Sequence, residues 1–364
     1  MRLGVQAALV RGELVPGDVE VEDGVVVDVG LAGGGRGHIA VPGFVDLQVN
    51  GFGGVDFLAA STDDYRRAGD ALLQTGVTAY QPTFITAAES TIVAALRALP
   101  ADGTPRIVGA HLEGPFLSPE RPGTHPIGHL REPDVDLLDR LLEPGRVTEM
   151  TVAPELPGAE LVIRRLLERG VVVSAGHTNA TADEAHGAFD AGVSTVTHLF
   201  NAMRPFRSRD PGVVGAALTR RDVFIQIIVD GHHLANETVR LVWAAAGGRT
   251  ALVTDATAGA LNGDGIYQLG DVEIEITDGP PTREDGVLAG TVLTMIDAVR
   301  NVHALGISFE DAVGAATTVP ARILGRPDLG VLEPGGPADI VVLDDRLDIV
   351  NVLCAGDARV VARD

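Results

Sequence analysis

Apolar residues gather in short runs along the middle of the chain, at 44–50, 77–84, 107–113, 147–153, 171–176, 194–199, 224–230 and 251–255. Between them lie stretches with helical spacing, at 63–74, 90–99, 160–168, 183–191 and 236–246. Thr181-Ala-Asp-Glu has the form of a capping box for one of these. Eight near-continuous apolar strands alternating with helices predict a parallel sheet buried on both faces, and eight units favour closure into a (β/α)8 barrel. Residues 272–276 and 287–288 read as a hairpin inserted near 266–288, and helices over 291–305 and 308–324 complete the barrel.

The two ends follow another pattern. Residues 1–42 and 331–364 are short β-like runs punctuated by turns such as Asp23-Gly24 and Gly335-Gly336-Pro337. Asp-Gly between alternating runs signals a hairpin. The expected architecture is an α/β protein: a TIM-like barrel over 43–330, with a small β-sandwich domain built from 1–42 and 331–364.

Length supports this division, since a barrel takes about 250 residues of the 364 present. A net charge of -22 argues against nucleic acid or an anionic membrane as partner. An anionic substrate would need local cations, and all 28 basic residues are arginine. The single cysteine, Cys354, forms no intramolecular disulfide, and no run approaches the roughly 18 apolar residues of a membrane helix. A cytoplasmic location is expected.

The chemistry sits where strands end. Active sites of such barrels lie at the C-terminal ends of the strands. Gln48 and Asn50 end the first run, His111 and Glu113 the third, His177 the fifth and His198 the sixth; His232 and His233 follow the seventh, and Asp255 ends the eighth. One such histidine would more often be structural, but several beside two carboxylates on one rim point to chemistry. Glu113, His177 and His198 form the ligand set of a catalytic divalent metal, with zinc expected and iron(II), manganese or cobalt also suited. The metal would polarise a carbonyl and lower the pKa of bound water. Asp255 is placed to act as general base and then acid.

The motifs carry a resemblance. Pro42-Gly-Phe-Val-Asp-Leu-Gln-Val-Asn-Gly resembles the first-strand motif of the amidohydrolase superfamily. His111-Leu-Glu-Gly-Pro-Phe, Gly123-Thr-His, Ser174-Ala-Gly-His-Thr-Asn-Ala, Thr197-His-Leu-Phe-Asn-Ala-Met and Val253-Thr-Asp-Ala-Thr resemble one branch of it, the N-acetylglucosamine-6-phosphate deacetylases. Their order and spacing fit from about residue 1 to 360.

The resemblance implies hydrolysis of an acetamide on a phosphorylated amino sugar. It implies that His125 bonds the acetamide oxygen, with Thr124, Asn201, Ala202, Leu288, Ala289 and Gly290 around the sugar. Arg209 and His233 would hold the phosphate, one such ligand coming from a neighbouring subunit, so a homodimer is expected. Arg204 and Arg207 lie close to Arg209 and are as readily surface charges. Gln48 and Asn50 replace the two histidines that bind a second metal in dinuclear relatives, and there is no lysine to bridge two ions. One metal per chain is therefore expected, with Gln48 and Asn50 near its bound water. Two other readings stay open: an amidohydrolase acting on another acylated amino sugar or a cyclic amide, and a non-enzymatic sugar-phosphate sensor.

Overall fold

The computed structural model describes residues 1–35 and 37–359, so 360–364, expected in the terminal β domain, lie outside the described residues. Eight parallel strands follow one another in chain order: β1 (Phe44–Val49), β2 (Val77–Ile85), β3 (Ala110–Glu113), β4 (Val147–Val152), β5 (Val172–Ala175), β6 (Thr195–Val196), β7 (Phe224–Ile227) and β8 (Thr250–Leu252). The chain beyond β8 then meets β1. The Asp255 N–H donates to the Gln48 carbonyl at 2.9 Å, and the Asn50 N–H to the Ala256 carbonyl at 2.8 Å. This closes the (β/α)8 barrel on the rim that carries the polar residues.

Two expected elements differ. The third strand is broken at Gly109, so that Arg106–Ile107 pairs beside the start of β2 while Ala110–Glu113 enters the barrel. The helix expected over 308–324 is two, Phe309–Ala315 and Thr318–Ile323. Pro320 has no N–H to donate, and it is tolerated in the first turn of the second helix. Helices Val135–Leu142 and Gly212–Thr219 add to the five helical stretches named above. The first is only eight residues long, and the second is apolar all round behind a Pro-Gly pair that reads as a turn.

The inserted hairpin also pairs differently. Gly265–Leu269 pairs with Val272–Ile276, while 287–288 joins the segment 281–283, through the bridge Thr282–Leu288 and the Arg283 N–H donating to the Val287 carbonyl at 2.9 Å, and that segment in turn bridges Glu275. Leu269, Ile274, Ile85 and Ala289 give this insert its own small apolar cluster. At the opposite end, strands from both termini share one six-stranded sheet. The strand Ile340–Leu343 lies antiparallel to Ile39–Pro42. The hairpin Asp18–Glu22/Val25–Leu31 packs on this sheet through Val19, Val26, Ile340 and Leu353, making the small sandwich.

The barrel strands are not uniformly apolar, as their composition had suggested. They alternate, and polar side chains fill the lumen. Gln226 on β7 donates to Glu149 on β4 at 2.7 Å, and Thr151 on β4 bonds Thr197 near β6 at 2.7 Å. Both contacts join non-adjacent strands, so they cross the interior. Asp46 on β1 accepts from the Thr254 hydroxyl at 2.6 Å and helps to seal the barrel.

Burial pushes the Glu149 carboxyl up to about 8 and that of Asp46 to about 7. Each carboxyl stays neutral in the folded chain at pH values where the unfolded chain has already ionised. Their stability contribution is therefore full below about pH 4 and is lost as pH rises towards the folded values. Glu149→Gln removes one titration while keeping an acceptor for Gln226, and the Gln81 amide at 3.0 Å can turn to match the new NH2. The variant is expected to gain roughly 2–4 kcal/mol on the wild type between pH 5 and 8. Denaturant unfolding at both pH values checks this; a constant difference would contradict it.

Candidate metal centre and active site

The rim residues converge because barrel strands deliver their ends to one circle. Glu113 closes β3, His177 follows β5, and His198 follows β6. The Glu113 Oε1 lies 3.1 Å from the His177 Nε2 and 2.9 Å from the His198 Nε2, and the two Nε2 atoms are 3.1 Å apart. Three ligand atoms thus form a nearly equilateral triangle. Tetrahedral bonds of about 2.0–2.2 Å require edges of about 3.3 Å, so a divalent ion fits above this face with small adjustment.

His177 Nδ1 faces the Arg121 carbonyl at 3.0 Å. A carbonyl only accepts, so the proton is on Nδ1 and the Nε2 lone pair is free for a metal. Burial pushes the His177 imidazole down to about 4, which keeps it neutral as a ligand must be. Burial alone would raise the Glu113 carboxyl, but the three imidazoles gathered around it, His125, His177 and His198, hold it well below the carboxylate range.

His125 is a rival ligand, since atoms of Glu113, His125 and His177 also lie within 4.8 Å of one another. Its Nε2 stands farther off, 3.6 Å from the Glu113 Oε2. The set containing His198 is the tighter one and matches the expected three.

Asp255 follows β8 and is 8% exposed. Its Oδ1 accepts from Asn50 Nδ2 at 2.7 Å. Burial, then the nearby Glu113 charge, pushes its carboxyl up to about 6, against the opposing pull of His198, His233 and the Asn50 hydrogen bond. Such a group can take and return a proton near neutral pH.

The backbone here is unusual. His177, His198, Ala202 and Asp255 have φ of +46°, +29°, +48° and +51°. Left-handed φ on non-glycine residues costs on the order of 1–3 kcal/mol each and clusters at functional sites. Gly123 makes room for this arrangement, because a Cβ there would meet His177 Cε1 at 2.9 Å.

A cavity of about 260 Å³ opens over the triangle. Glu113, His177, His198, Asp255, Asn50, His125 and His233 line it, together with Thr124, Asn201, Ala202, Leu288 and Gly290. Ala289 does not; it is buried behind the wall in the insert's apolar cluster. Gln48 is buried too, with neither amide atom partnered.

Arg209 is not brought into the cavity of its own chain, and among the described residues no arginine lines it. Arg209 is exposed, beside the half-exposed Phe206, while Arg204 is spent on Asp210 at 2.8 Å.

Asp230 was missed in the sequence. Its Oδ2 lies 2.7 Å from Nδ1 of His233, which lines the cavity, so that contact leaves the Nε2 edge of the ring for another partner. Burial opposes ionisation of Asp230, but its hydrogen bonds from His233 and His232 hold it at about 2. The available signal was an aspartate closing the apolar run 224–230, three residues before a histidine. Ile85, Ile228 and Leu269 also line the cavity without having been expected, since nothing marks them off from core residues.

Residues 39–361 match the amidohydrolase family. The chain is 38% identical over 341 residues to human N-acetylglucosamine-6-phosphate deacetylase, covering 88% of this chain and 83% of that one. It is 36% identical over 328 residues to N-acetylgalactosamine-6-phosphate deacetylase from Escherichia coli O157:H7, covering 88% and 87%. The Mycobacterium smegmatis N-acetyl-D-glucosamine-6-phosphate deacetylase, solved as an aspartate-to-alanine variant in complex with N-acetyl-D-glucosamine-6-phosphate, superposes with a TM-score of 0.93 at 35% identity, covering 98% of each chain. Fold, strand-end chemistry and these likenesses together show that the chain belongs to the amidohydrolase family and, within it, to the N-acetylglucosamine-6-phosphate deacetylases.

Proposed function

We propose that this chain hydrolyses the acetamide of N-acetyl-D-glucosamine 6-phosphate to acetate and D-glucosamine 6-phosphate. The observation that carries the reading is the triangle of Glu113, His177 and His198 with Asp255 on the wall of the same cavity. Those three residues would hold one divalent ion, zinc by preference for two imidazoles and a carboxylate. When bound, the ion supplies Lewis acidity to the acetamide carbonyl and to the attacking water.

The chain's own groups do the rest. Asp255 takes the proton of the attacking water and returns it to the departing amine nitrogen, while Asn50 keeps its carboxylate aimed. His125 donates to the carbonyl oxygen as negative charge develops there. Thr124, Asn201, Ala202, Leu288 and Gly290 surround the sugar, and Ala289 supports that wall from behind. His233 offers its free edge to the phosphate.

A phosphate held by histidine alone would be weakly bound. The second cation we assign is Arg209 from another copy of the chain, which makes the working unit a homodimer. Support comes from a cavity that no arginine lines among the described residues, and from an exposed loop that presents Phe206 and Arg209. The single cysteine, buried Cys354, suits a reducing compartment, and we place the enzyme in the cytoplasm. No described helix is long and apolar enough to cross a membrane.

Acetate release from the 6-phosphate, from its 4-epimer and from the unphosphorylated sugar tests the substrate assignment. Arg209→Ala is expected to lower kcat/KM for the 6-phosphate on the order of 10²-fold and to leave the unphosphorylated sugar nearly unaffected. Mixing Arg209→Ala with Asp255→Asn subunits should partly restore turnover, because mixed dimers contain one complete site. An unrecovered mixture would return Arg209 to its own chain, and an unchanged KM would remove it from the phosphate.

A further inference from the structure

Thr86, one residue beyond β2, touches two parts of the site at once. It is 1% exposed. Its backbone N–H donates to His125 Nδ1 at 3.2 Å. Its hydroxyl oxygen lies 3.0 Å from both the Glu113 carbonyl and His125 Nδ1, and its single hydrogen can serve either acceptor but not both at once. The neighbouring chain leaves room for this contact. A Cβ on Gly114 would meet the Thr86 hydroxyl oxygen at 2.2 Å, and Gly114 has φ +88°.

A backbone amide can only donate. A neutral imidazole that accepts at Nδ1 carries its proton on Nε2. His125 Nε2 is therefore a donor, and it points at the carboxylate side of the site, 3.6 Å from Glu113 Oε2. His177 is set the other way, its Nδ1–H donating to the Arg121 carbonyl. The two rings are 4.4 Å apart between centroids, yet backbone groups of opposite polarity give them opposite tautomers. One is left with a bare Nε2 suited to a metal, the other with an Nε2–H suited to a developing oxyanion.

We propose that Thr86 is a positioning residue that fixes His125 as the Nε2–H tautomer and holds it in register with Glu113. The proposal rests on the assignment of His125 to the acetamide oxygen. Thr86→Val keeps the backbone N–H and the side-chain volume, but sets a methyl against His125 Nδ1 and removes the hydroxyl hydrogen that either acceptor can take. Thr86→Ser keeps both donors.

In the metal-replete enzyme, Thr86→Val is expected to lower kcat about 10-fold or more, since small misplacements of reacting groups are costly, with KM within about threefold. Thr86→Ser should recover to within about threefold of wild type. His125→Ala should lower kcat about 10²-fold or more, and adding Thr86→Val to it should cost nothing further. Multiplying losses in the double variant, or wild-type kcat in Thr86→Val, would overturn the proposal. Wild-type kcat in His125→Ala would instead overturn the reading of His125 beneath it. The ¹⁵N resonances of histidine-labelled wild type, with His125 identified by its loss in His125→Ala, provide a test that does not depend on the valine variant folding. An unprotonated Nδ1 supports the clamp, and a protonated one refutes it.

Discussion

Replacing Asp255 by asparagine is expected to lower turnover by about 10³–10⁴-fold while metal content and substrate binding persist. Asparagine is the informative choice. It has the same shape, it can still accept from Asn50 Nδ2, and it tolerates the φ of +51° at this position better than most residues. What it lacks is a carboxylate able to take a proton. Burial and the Glu113 charge hold Asp255 near 6, where it ionises below neutral pH yet can still return a proton. Acetate release, metal analysis and calorimetric titration with substrate measure the three quantities separately. Turnover within about tenfold of wild type would take Asp255 out of the proton transfer.

Stripping the metal with a chelator is expected to abolish measurable turnover, a loss of about 10³-fold or more. One equivalent of zinc per chain should restore it, with manganese or cobalt substituting to different extents. Burial orders this site independently of the ion: Glu113, His177 and His198 are each less than 5% exposed. The barrel should accordingly remain folded when stripped, and the ion should raise its melting temperature by mass action. A count of one follows from the amides at Gln48 and Asn50. Neutral amide oxygens are poor ligands for zinc beside imidazole. Two tightly held equivalents in purified protein would contradict this count.

Much of the site was legible because its chemistry follows strand ends. An apolar run that stops at glutamate, histidine or aspartate announces both the strand and the rim, and Glu113, His177, His198 and Asp255 all obey that rule. Thr86 and Asp230 obey it less visibly. A threonine after a strand is ordinary in sequence, and its value lies in the acceptors it meets, His125 Nδ1 and the Glu113 carbonyl, each far along the chain. Glu149 shows the same limit within the barrel. Its strand reads as apolar, but its partner Gln226 is 77 positions away, and only closure of the barrel turns the two towards each other.

The sequence by itself determined the alternation of strands and helices, the identities of the candidate metal-ligating side chains, and the absence of lysine and of a histidine pair at positions 48 and 50. These are matters of residue type and local period, which the chain carries without folding. The tertiary structure decided which atoms meet. It set the left-handed turns that swing His177, His198 and Asp255 over one cavity, gave neighbouring histidines opposite tautomers through backbone groups, and left Arg209 outside the cavity it was expected to serve. Each of these depends on distances between residues remote in the chain, and such distances exist only once the barrel has closed.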